Sequence, residues 1–93
     1  MKLKDKYKIG GHWIDVEERS EKEGYFKQGT DCRWFNKIFI QSDLAQSKKE
    51  SNLLHEVIHE IDGQMDIDLS ENQVSILSEG FYQFLVDNDL LKE

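Results

Sequence analysis

Hydrophobic and polar positions along this chain change period once, and the change divides it into a sheet-forming and a helix-forming part. In the stretch 1–43 the pattern alternates and is broken by glycine. Tyr7-Lys8-Ile9 is followed by Gly10-Gly11 and then by His12-Trp13-Ile14-Asp15-Val16. There Ile14 and Val16 fall on one face and Trp13 and Asp15 on the other, as in a half-buried strand. The charged stretch from Ser20 to Gly24 predicts a turn or loop, and Tyr25-Phe26-Lys27 a short strand. The run from Cys32 to Ile40, with Trp34, Phe35, Ile38, Phe39 and Ile40, is the most β-like segment, and Asn36-Lys37 is placed to bend or bulge it. These readings predict a small antiparallel sheet of about three strands.

From residue 47 onward the period becomes helical. Ser47-Lys48-Lys49-Glu50 has the form of a capping box, and Leu53, Leu54, Val57, Ile58 and Ile61 then recur on one helical face. Gly63 is the expected stop, so the first helix is predicted over 47–63. Ser70 and Gln73 form a second capping box, with Leu69 and Val74 where a hydrophobic staple would stand. A second helix is predicted over 71–87, its apolar face made of Val74, Leu77, Phe81, Phe84 and Leu85, fraying near Asp87-Asn88-Asp89. The expected class is α+β: one sheet followed by two helices in a single domain spanning 1–93.

Composition narrows the function. The 93 residues carry 12 basic and 19 acidic side chains, a net charge of −7, which argues against binding a nucleic-acid backbone. All basic residues but Lys92 lie at or before Lys49, whereas 50–93 holds eleven acidic side chains. A basic first half docked on an acidic second half accounts for this; an acidic mimic of nucleic acid is the sharper reading. No apolar run is long enough to span a bilayer, and the lysine-rich opening lacks the apolar core of a secretory signal. Cys32 is the only cysteine, which fits a reducing cytoplasm.

The chemistry concentrates in His55-Glu56-Val57-Ile58-His59, an H-E-x-x-H motif on the first predicted helix. At 100° per residue the two histidines stand ~40° apart around the axis, one turn from each other. So placed, they can direct one nitrogen each at a shared zinc ion. Glu56 lies ~60° to one side of His59, too far round to be a ligand but able to act as general base toward water on the ion. Random shuffling of 3 His and 10 Glu in 93 positions would produce the pattern about 1% of the time, so chance matches occur. Against them stand the motif's position on a capped helix and its use of two of the chain's three histidines.

Zinc of this kind needs a third protein ligand. Glu71 edges the apolar face of the second helix and occupies its first position, where the helix dipole favours a carboxylate. It is the expected ligand, and Glu79 the runner-up by its spacing from His59. Asp62, on the histidine stripe, is placed either to orient a liganding imidazole or to cap the helix end. Tyr82, ~20° from Glu71 around the axis and three turns further on, is the candidate oxyanion donor, with a half-buried structural tyrosine as the alternative. His12 beside Trp13 reads as structural, and Cys32 as a buried thiol.

Leu53 to Asp62, Leu69-Ser70-Glu71, Val74, Leu77, Gly80-Phe81-Tyr82 and Leu85 together resemble the minimal zincin-type metallopeptidases often encoded by phages and prophages, of the ImmA/IrrE-like superfamily. Lys8 to His12 and Ile38-Phe39-Ile40 look like that family's opening and edge strand, so the resemblance covers about 7–90. It implies His55, His59 and Glu71 as zinc ligands, Glu56 as catalyst and a peptide substrate held as an added strand on the sheet edge. By analogy of fold and motif, the substrate class it suggests is a phage-type transcriptional regulator. Glu60 departs from the family's pattern, in which a small residue follows the second histidine. The expected activity is zinc-dependent hydrolysis of a peptide bond, without nucleic-acid or membrane partners. The rival is a non-enzymatic, acidic phage-type binding protein whose metal site is structural or vestigial.

Overall fold

The computed structural model describes residues 2–20 and 36–92, and the backbone of 29–32. The expected strand Tyr25–Lys27, the loop 21–24, and Trp34 and Phe35 lie outside the described residues, as does the side chain of Cys32. Four strands are formed: β1 (Lys6–Ile9), β2 (His12–Arg19), β3 (Gly29–Cys32) and β4 (Lys37–Gln41). Two helices follow, α1 (Gln46–Met65) and α2 (Glu71–Asp87). The fold is α+β, as expected.

The sheet runs β1-β2-β4-β3. It is mixed rather than purely antiparallel: β1–β2 and β3–β4 are antiparallel, but β2 and β4 are parallel, with Val16 opposite Ile38. The departure has a physical reason. β4 carries Ile38 and Ile40, both fully buried, and belongs in the sheet interior, so it lies between β2 and the edge strand β3.

The β1–β2 turn is set by Gly10 and Gly11, both at positive φ (59° and 85°), the geometry of a two-residue primed turn. Strand alternation then decides the faces. Ile14 on β2 and Ile38 and Ile40 on β4 point inward and, with Ile9 and Leu53, make the buried core. Leu3, Tyr7, Val16 and Val57 close over it. Trp13 is turned to the helix-free face of the sheet, where Lys6 and Lys8 lie over its ring at 4.9 and 5.8 Å. Helix α1 lies against the sheet, and α2 packs chiefly on α1.

Both ends of α1 differ from expectation. Helix α1 starts at Gln46, after Ala45, without a side-chain cap, so Ser47 is inside it and no box with Glu50 forms. Glu50 is buried instead and accepts a hydrogen bond from the Tyr82 hydroxyl at 2.9 Å. At the other end Gly63 does not stop the helix, which continues to Met65 and closes on Asp66 in the left-handed conformation (φ 54°). The extra turn seats Gln64, whose amide donates to the Ile9 carbonyl at 3.0 Å and to Glu60 at 2.9 Å, fastening α1 to the β1–β2 turn. The second capping box forms as read: Gln73 N–H donates to the Ser70 hydroxyl, and Ser70 N–H to the Gln73 side chain.

Candidate metal centre

Three side chains from two helices meet at one point. His55 and His59 are a turn apart on α1, and their rings stand edge to face with centroids 4.8 Å apart. Their Nε2 atoms are 3.2 Å from each other. Glu71, first residue of α2, reaches across so that Oε1 lies 2.7 Å from His55 Nε2 and Oε2 lies 2.9 Å from His59 Nε2. Tetrahedral zinc with ligand bonds of ~2.0–2.1 Å spaces its donors ~3.3 Å apart. The separations found are a few tenths of an ångström shorter, as fits atoms joined by hydrogen bonds, so these residues fit the ion with little side-chain movement. The two histidines are partly buried and Glu71 is exposed, which leaves the cluster open to solvent on the α2 side.

Local sequence explains the convergence. The i, i+4 spacing aligns the imidazoles. Asp62 accepts the backbone N–H of Leu69 at 3.0 Å, and its carbonyl accepts from Ile67 at 3.2 Å, so the short connection turns back tightly. The Ser70–Gln73 box then fixes the first turn of α2 and, with it, Glu71. Asp62 thus serves the connection; no bond from it to an imidazole is seen among the described residues. Glu79 lies outside the cluster, which among the described residues is formed by His55, His59 and Glu71.

Glu56 is 7% exposed. Burial pushes its carboxyl up to about 7; His55 nearby works against this and the Glu71 carboxylate adds to it. One turn to either side on α1 stand Asn52 and Glu60, whose Nδ2 and Oε2 atoms are buried without a hydrogen-bond partner. This polar row beside the motif was not read from sequence. Its i, i+4, i+8 spacing was visible, but helical periodicity does not say that carboxylates sit on a covered face.

Tyr82 is not brought to the cluster. Eleven residues beyond Glu71 it is ~16 Å further along α2, and its hydroxyl donates to Glu50. Burial and that carboxylate push its phenol up to about 12. The half-buried structural tyrosine is the reading the geometry supports. His12 is exposed at the start of β2 and is not part of the His55, His59 and Glu71 cluster. A cavity of about 240 Å³ opens on the other flank of α1, between Tyr7, Leu54, Val57 and Leu91, and shares no residue with the cluster.

No family model, curated protein or solved structure matches the chain. The reading of the site therefore rests on its own chemistry. Among the described residues no helix is long and apolar enough to cross a membrane.

Proposed function

We propose that the chain is a zinc-dependent peptidase of the minimal zincin type, with His55, His59 and Glu71 as ligands and Glu56 as general base. One observation carries it: the ligand atoms of the motif histidines and of Glu71 meet within 2.7–3.2 Å, beside a buried carboxyl on the same helix. When bound, zinc supplies Lewis-acid polarisation of water and of the scissile carbonyl. The rest falls to the chain. Glu56, held near neutrality by burial, takes a proton from the attacking water and returns it to the leaving amine. β3, at the sheet edge and in contact with α1, is where an extended peptide would add as a strand. A phage-type regulator in a reducing cytoplasm is the substrate we favour.

A second reading has its own support. Among the described residues of α2 only Val74 and Ser78 are buried, so a metal joining α1 to α2 would tie down a weakly seated helix. In that reading the chain binds a regulator without cleaving it. Glu56→Gln separates the two: the peptidase loses activity with zinc still bound, whereas a binder keeps its effect on the partner. Zinc per chain by elemental analysis checks the common premise. A chain that stays metal-free after loading would sink both readings.

A further inference from the structure

The connection that brings Glu71 to the histidines does not favour one shape on its own. It is the stretch 66–70, between the end of α1 and the start of α2. Asp66 and Asp68 both stand at positive φ (54° and 69°), a region that residues with a Cβ enter at some cost. Something else must hold it.

That support comes from one residue. The N–H groups of Asp66 and Ile67 donate to the Asp62 carbonyl, and the N–H of Leu69 donates to Asp62 Oδ1 at 3.0 Å. The Ser70 N–H turns forward to Gln73 instead. Among the described residues, the hydrogen bonds that tie the connection back to α1 all end on Asp62.

Two of those bonds use a backbone carbonyl, which any residue would offer. The third needs a side-chain acceptor of one particular reach. Asp62 follows His59 by three residues and lies only ~4.5 Å from it along the axis of α1. Leu69, which it holds, stands two residues before Glu71. The bond from Leu69 to Oδ1 is therefore a short strut between the helix that carries two of the converging side chains and the residue that carries the third. No other contact does this as directly. The Tyr82–Glu50 bond lies ~16 Å further along α2. The Ser70–Gln73 box shapes the first turn of α2 from within. Burial of Val74 holds α2 down without fixing its direction.

We propose that Asp62 is a positioning residue for metal binding: through Leu69 it sets where Glu71 meets His55 and His59, and with that the affinity of the centre for zinc. This rests on the zinc ligands proposed above and not on hydrolysis. Asp62 acts on the backbone that delivers a ligand, rather than on the second N–H of a liganding imidazole.

Zinc affinity, measured by competition with chromogenic chelators of graded strength, gives the test. Asp62→Glu keeps the charge but carries the acceptor one methylene further, and should weaken zinc binding about tenfold or more, the usual cost of losing a partner behind a ligand. Asp62→Ala should do the same. Asp62→Asn loses the charge but keeps Oδ1 in place, and should bind within a few-fold of the unaltered chain. In a Glu71→Ala background there is no carboxylate left to position, so Asp62→Glu and Asp62→Ala should change the affinity little. A general loosening of the fold would not depend on Glu71 in this way. A loss with Asp62→Asn as large as with Asp62→Glu would overturn the proposal, since charge and not the bond would then matter. So would full affinity in Asp62→Glu, or an equal loss with and without Glu71. An unaltered chain that takes up no zinc would remove the centre itself, and this role with it.

Discussion

Burial raises the Glu56 carboxyl and makes its ionised form a burden on the fold. Its carboxyl is raised from 4.5 to about 7, so the folded chain holds a proton that the unfolded chain releases. Stability therefore falls as pH rises through this window: the penalty is absent below about 4.5, grows between the two values and is complete above 7. Glu56→Gln should accordingly stabilise the chelator-treated protein at pH 8 by up to roughly 3 kcal/mol and do much less near pH 4. Paired urea titrations at the two pH values check this; a gain of equal size at both would show that burial is not the cause. Under the proposed function, the same substitution in the zinc-loaded protein should lower kcat by about 10²–10⁴-fold, the usual contribution of a general base, with zinc content unchanged.

At the scale of elements, the site depends on how α1 hands over to α2. The Ser70–Gln73 box fixes the turn that carries Glu71. Ser70→Ala should lower stability by about 1 kcal/mol and also weaken zinc binding, since it loosens a ligand rather than removing one. Denaturant unfolding and a zinc competition titration with a chromogenic chelator measure the two effects separately. At the far end of the same helix pair, Tyr82 donates to the buried Glu50. Tyr82→Phe should destabilise the fold by about 1–3 kcal/mol and leave zinc affinity as it was. A loss of activity in excess of the lost stability would return Tyr82 to the catalytic role that its position in sequence suggested. Gly10→Ala, at positive φ and against the Gln64 side chain, should disturb the turn on which the end of α1 rests.

For the whole molecule the decisive property is that His55, His59 and Glu71 come from two helices and meet only in the folded chain. Zinc should therefore raise the midpoint of thermal unfolding, by about 2.7 kcal/mol of added stability at a free concentration a hundredfold above Kd. Chelation should reverse the shift, and His55→Ala or Glu71→Ala should abolish most of it. Calorimetry with and without zinc makes the comparison, and an unchanged midpoint in a zinc-saturated sample would contradict convergence on one ion.

Sequence by itself determined what is local. Periodicity placed both helices within a few residues, alternation set Ile14 and Val16 on one face, Gly10-Gly11 marked the break between β1 and β2, and the i, i+4 histidines with Ser70-Glu71 named the three side chains that the fold brings together. Each of these depends on one turn of backbone or one pair of neighbours, so residue type and spacing suffice. Tertiary structure alone decided the parallel pairing of β2 with β4, the passage of α1 beyond Gly63, and the pairing of Tyr82 with Glu50. It also decided that Asp62 holds the connection and that Leu77, Phe81 and Phe84 are left exposed among the described residues. The β2–β4 pairing, the end of α1 and the Tyr82–Glu50 bond depend on surfaces that meet across 22 to 55 residues, a contest of burial against desolvation that no short window of sequence contains.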